Sequence, residues 1–164
     1  DMEVVYTGYS RVETNSSGKN MYHSMLRNAE GAYYYQEFTI EKMTGTSSVI
    51  ATPIKQVPFN IGDILDENTL FCIPPYIENT YMLIAHGADL YIIERANIGA
   101  GNMQSFVILY KHFDADITAL DAESARSYRV GVGLANGKFY VLDTNVGRIV
   151  DIRYKMKTGN AWQS

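Results

Sequence analysis

Apolar and polar residues alternate along this chain in short runs broken by turn residues. That is the period-two pattern of β-strands, not the three-to-four spacing of amphipathic helices. Val4 to Tyr9, Thr69 to Ile73 and Ile117 to Leu120 are runs of this kind. Three longer stretches, 22–36, 81–94 and 128–143, share one plan: a tyrosine, an apolar strand, a small or polar turn, then a second strand opening on a bulky residue and a tyrosine. In the third, Ala135-Asn136-Gly137-Lys138 predicts a tight hairpin, because Asn-Gly tolerates the positive φ of a type I′ turn. Ala29-Glu30-Gly31 and His86-Gly87-Ala88-Asp89 are looser versions of it. A further run follows each hairpin: Ser48 to Thr52, Ser105 to Tyr110 and Arg148 to Tyr154. No convincing long helix competes, and Pro53, Pro58, Pro74 and Pro75 are expected between runs or at their ends.

Repetition turns these strands into an architecture. The pairs Tyr33-Tyr34, Leu90-Tyr91 and Phe139-Tyr140 recur with a period of roughly 50 residues, the length of a kelch-like blade. The expected fold is all-β and β-propeller-like, about three four-stranded blades in a single region, bounded approximately as 1–60, 61–114 and 115–164. Propellers usually close with about 4–8 blades, and a set of three leaves open sheet edges. The chain is therefore expected to be a fragment of a larger propeller, or to close against another chain. Its first residue, Asp1 rather than Met, reads as a mature or trimmed product.

Composition narrows the function classes. Apolar residues make up 46% of the chain and charged ones 20%, a globular balance. The net charge of −4 and the lack of a basic run argue against a nucleic-acid binder or a membrane-surface helix. No stretch approaches the ~20 apolar residues of a transmembrane segment. The single cysteine, Cys72, excludes an internal disulfide and a multi-cysteine zinc site, and its apolar neighbours read it as a buried small hydrophobe. The 13 tyrosines favour half-buried pleated surfaces first and ligand contact second.

The runs from Glu67 to Phe71 and from Tyr81 to Tyr91 resemble the C-terminal part of PKD-like family lipoproteins of Bacteroidetes. So do Phe113 to Asp121, Gly131 to Leu134 and Gly137 to Asp143. The resemblance implies immunoglobulin-like N-terminal domains followed by a propeller-like region, in a lipoprotein of the cell envelope, at the outer-membrane surface or in the periplasm. It further implies partners among polysaccharides or outer-membrane uptake proteins. The 164 residues carry neither the lipidated cysteine nor the immunoglobulin-like part, which fits a fragment.

Chemistry-bearing patterns are sparse. His23, His86 and His112 form no metal-ligand spacing, and Asp114-Ala115-Asp116 lacks the continuation of a calcium loop, so no metal and no cofactor is expected. Asp63, Asp66, Glu67 and Asn68 read as a solvated loop. Asp89, Glu94, Asp116 and Asp143 are available carboxylates, but spacing on a β fold does not establish the separation a glycosidase needs. Nucleophile signatures are missing, and Gly99-Ala100-Gly101-Asn102 lacks the residues of a phosphate loop. No catalytic residue is assigned.

Aromatic rings offer the best handle, since sugars stack their C–H faces on them; the candidate ligand-binding residues are Tyr9, Tyr22, Tyr76, Tyr110 and Trp162. The expected function is a non-catalytic binding or interaction module of a cell-envelope lipoprotein linked to glycan capture and uptake. Two alternatives stand beside it: a fragment of a propeller-type glycoside hydrolase or lyase, and a structural scaffold for partner proteins.

Overall fold

The structure, a computed structural model, describes residues 1–12, 19–42, 45, 48–61, 64–75, 81–99, 107–124, 127–145, 148–153, 156–158 and 161–163. Its first sheet contains β1 (Met2–Val12), β2 (Lys19–Asn28), β3 (Tyr33–Lys42) and β4 (Val49–Phe59). The second contains β5 (Leu70–Cys72), β6 (Tyr81–His86), β7 (Asp89–Glu94) and β8 (Val107–His112). The third contains β9 (Ile117–Ala122), β10 (Arg129–Leu134), β11 (Phe139–Asn145) and β12 (Arg148–Arg153). Each sheet is an antiparallel meander whose spatial order follows the sequence. The chain is therefore all-β, with one short 3-10 turn at Arg95–Asn97 among the described residues. A separate hairpin, β13 (Met156–Thr158) with β14 (Ala161–Gln163), lies in the polar tail that the sequence pattern left without an element.

The hairpin turns explain the registers. In the first sheet, the Gly31 amide donates to the Asn28 carbonyl and the Asn28 amide to the Ala32 carbonyl, with Gly31 at φ +85°. Leu134, Gly137 and Lys138 repeat this pattern in the third sheet, with Gly137 at φ +84°. Both are three-residue loops, a turn closed by a glycine in the left-handed region. The expected two-residue turn at Asn136-Gly137 is thus replaced by a loop over Ala135-Asn136-Gly137, with Asn136 Oδ1 accepting from the Lys138 amide. The middle hairpin is the two-residue one, Gly87-Ala88 between the partners His86 and Asp89.

Pro53 and Pro58 depart from their expected places, because both lie inside β4, opposite Phe38 and Tyr34. β4 is an edge strand, so a missing amide donor on its free side breaks no ladder. A bulge between Glu37 and Phe38 sits beside Pro53.

The sheets are stacked with the second in the middle. Met82 and Ile84 of β6 and Ile93 of β7 pack towards the first sheet, against Met25, Tyr33 and Tyr35. Leu83 and Ala85 of β6, with Leu90 and Ile92 of β7, pack towards the third sheet, against Val130, Val132 and Leu142. Successive side chains of a strand point to opposite faces, so a strand covered on both sides reads as one unbroken apolar run. That is why residues 81–85 are buried throughout. Tyr6 pins the first junction: its hydroxyl oxygen accepts from the Ile73 amide at 2.7 Å. Gly8 makes room for this ring, since a Cβ there would lie 2.9 Å from Tyr6 Oη and 3.3 Å from Ile73 Cβ.

Candidate ligand-binding rim

Of the aromatic candidates whose side chains are described, Tyr9 and Tyr22 lie together and Tyr110 lies apart from them. Tyr9 and Tyr22 are register partners on β1 and β2, with ring centroids 5.6 Å apart, and Phe38 extends the row 5.7 Å beyond Tyr22. This row lies on the outer face of the first sheet, because the alternate residues Ser10, His23 and Glu37 face inward. Tyr110 stands apart, on β8. Tyr76 lies outside the described residues. Trp162 belongs to β14 opposite Lys157, and its side chain lies outside them as well.

Tyr110 is part of a polar rim at one end of the stack. The turn at Gly87-Ala88 abuts the β8–β9 connector, where the Phe113 amide donates to the Ala88 carbonyl and the Ile117 amide to the Gly87 carbonyl. The Ala135 amide donates in turn to the Asp116 carbonyl, so the third hairpin joins the same end. Asp66, in the β4–β5 connector, reaches His86 Nε2 at 2.8 Å. Local bonds orient this carboxylate: its Oδ1 accepts from the Asn68 amide, while Thr69 Oγ1 accepts from the Asp66 amide.

On the adjoining strands, Asp89 Oδ1 accepts from the Tyr110 hydroxyl at 2.6 Å and contacts His112 Nδ1 at 2.7 Å. Register makes this cluster: Asp89 faces His112, and Tyr91 faces Tyr110 with ring centroids 5.3 Å apart. The Tyr110 hydroxyl, and then His112, hold the Asp89 carboxyl below the usual carboxylate range. The same bond pushes the Tyr110 phenol up to about 12. Tyr110 remains 53% exposed, so a ring face and its polar neighbours are presented together. Next along the rim, Asp114 pairs with Lys138 and receives the Asn136 amide group at 3.5 Å.

A second polar constellation is sealed. Ser10 Oγ lies 2.7 Å from His23 Nε2, and His23 Nδ1 lies 2.7 Å from the Tyr35 hydroxyl. Tyr35 donates to Glu37 Oε1 at 2.6 Å, so its oxygen accepts from His23, which places the imidazole proton on Nδ1. Nε2 is then the acceptor for the Ser10 hydroxyl, and one Arg95 guanidinium nitrogen lies against the ring, 2.8 Å from Nε2 and 3.2 Å from Nδ1. Burial, and next the Arg95 charge, lower the His23 pKa to about 3 and keep the ring neutral. The order of roles is that of a serine–histidine relay. Ser10 is only 3% exposed and His23 is 0% exposed, so no substrate reaches them. The network instead ties Arg95 of the second sheet's trailing turn to three strands of the first.

Sequence reasoning named Tyr110 but neither cluster as a group. Apart from Tyr35–Glu37, the side-chain pairs that define them lie 12 to 72 residues apart, from His23–Tyr35 to His23–Arg95, so no local motif carries them. The register of adjoining hairpins is the signal that places Asp89 beside His112. Among the described residues, no group of three or more His, Cys, Asp or Glu is placed to hold a metal ion. No described helix is long and apolar enough to cross a membrane. No family model, curated protein or solved structure matches this chain.

Proposed function

We propose that the chain is a non-catalytic binding module of a cell-envelope lipoprotein, that its three meanders are consecutive blades of a β-propeller, and that its rim contacts glycans. The observation that carries the glycan contact is the exposed Tyr110 ring beside Asp89, His112 and the Asp66–His86 pair. A sugar needs an apolar ring face to stack on and fixed donors and acceptors around it for its hydroxyls. Tyr110 supplies the face. Asp89 holds the phenol and the His112 ring in place, which limits the ordering that binding would otherwise require. His112 is engaged through Nδ1, leaving Nε2 as the nitrogen for a ligand hydroxyl. The cell-envelope placement rests on the sequence resemblance, and the blade reading on three like meanders stacked in sequence order.

Glycan-array screening followed by calorimetry tests the contact. Binding to at least one polysaccharide is expected, weakened about tenfold or more by Tyr110→Ala and by His112→Ala. Silence against every glycan, or affinity indifferent to both substitutions, overturns it.

A further inference from the structure

The connector from β4 to β5 runs from beside the first hairpin to beside the second. β4 ends where Phe59 pairs with Tyr33, at the first hairpin, and β5 begins where Leu70 pairs with Ala85, next to the second. At the start of this path lies a cleft of about 350 Å³. Ala32, Tyr33 and Tyr34 line it from the hairpin side, Pro58 from the end of β4, and Asn60 and Leu65 from the connector. Tyrosine and proline rings beside a side-chain amide offer a small ring both a stacking face and hydrogen-bonding groups. Ligand pockets run from about 300 to about 1,000 Å³, so this cleft takes a small ring rather than a whole chain.

A series of contacts joins this cleft to the exposed Tyr110 ring. Leu65 lines the cleft, and the next residue, Asp66, holds His86 through Oδ2. His86 is the register partner of Asp89, and Asp89 holds Tyr110. Both carboxylates on this path are kept ionised. The bond from His86, and then the Asn68 amide, hold Asp66 below the usual carboxylate range, as the Tyr110 hydroxyl does for Asp89. Among the described residues, each is paired with a histidine and neither with a lysine or arginine. The bonds to Asp89 fall on Oδ1, which leaves Oδ2 as an acceptor for a sugar hydroxyl. A uronate or sulfate on the ligand would instead meet like charge. We propose that the cleft is a second sugar subsite, and that the ligand is a chain of uncharged sugars running from the cleft past Asp66 and His86 to the Tyr110 ring. The proposal rests on the reading of the rim as a glycan contact, and adds the length and charge of the glycan. Once one end of such a chain is held, the other meets its subsite at a high effective concentration, so affinity grows with chain length.

Calorimetry of the full chain with oligosaccharide ladders, from disaccharide to octasaccharide, is the test. The probes are glucan, mannan and xylan ladders and, as the anionic counterpart, a polygalacturonate ladder. At least one neutral ladder is expected to bind, one chain per protein, with its octasaccharide at least about tenfold tighter than its disaccharide. The polygalacturonate ladder should bind at least about tenfold more weakly than that neutral one at low salt. Tyr34→Ala strips the cleft, and Ala32→Leu fills it from an exposed position; circular dichroism checks that both fold. In each, octasaccharide and disaccharide should bind alike. Affinity independent of length in the parent, but lost in Tyr110→Ala, overturns the second subsite and leaves the glycan rim standing. A length gain that survives both cleft variants overturns it too. Polygalacturonate bound as tightly as the neutral ladder overturns the charge selection, and silence from every ladder overturns this proposal together with the glycan reading.

Discussion

Tyr35 shows how much one buried hydroxyl can carry. It accepts from His23, donates to Glu37, and has Lys55 Nζ 5.8 Å from its ring centroid. Tyr35→Phe would strand the Nδ1 proton of a buried imidazole. The expected loss is about 1–3 kcal/mol, read by urea unfolding. His23 itself gives a pH signature. Its folded pKa, about 3, lies below the ordinary 6.5, so the unfolded chain takes up the proton first as pH falls. The stabilisation is complete above pH 6.5 and is lost progressively towards pH 3, by on the order of 1 kcal/mol per unit. Denaturant unfolding between pH 5 and 6.5 should show this slope in the parent and lose it in His23→Gln; equal slopes would refute the assignment. Gly8 makes a steric prediction: Gly8→Val should push the Tyr6 ring off the Ile73 amide and lower stability by about 1–3 kcal/mol in thermal melts. Little of this was legible in the sequence. His23 reads there as one of three scattered histidines, and Arg95 gives no sign that it will be buried beside one. Both depend on which strand faces which, and that is decided by packing rather than by local residue type.

At the scale of elements the sequence was far more informative, because a strand writes its two faces into alternate positions. Each of the three hairpins turns where glycine and small polar residues interrupt the apolar runs. The fourth strand of each meander also stands where a separate β-rich run follows the hairpin. The failures have physical causes. Proline looked like a terminator, but β4 is an edge strand and tolerates it. Asn136-Gly137 looked like the centre of a two-residue turn, but the register of β10 with β11 admits a third residue. The polar tail has no apolar alternation, and β13 and β14 pair all the same. β6 is the element on which both junctions bear. Met82→Ala opens a cavity towards the first sheet and Leu83→Ala one towards the third, each at a site with no exposure. Each should destabilise by about 2–5 kcal/mol. The two losses should fall short of additivity or exceed it, since both act through one strand, and a double-mutant cycle would measure the coupling.

For the whole molecule, stability is graded by position in the stack. Amides of β6 and β7 are enclosed on both sides and should exchange with solvent most slowly, while those of the outermost strands exchange first. Hydrogen exchange followed strand by strand would show this order, and uniform protection would contradict it. Cys72 lies at the second junction, where burial, the largest cause, raises its thiol pKa to about 12. In the closed stack it is neither reachable nor ionised, so an alkylating reagent meets it only after the second and third sheets part. The chain thus contains its own clock: a single thiol whose rate of capture reports, without any added label, how often that seam breathes.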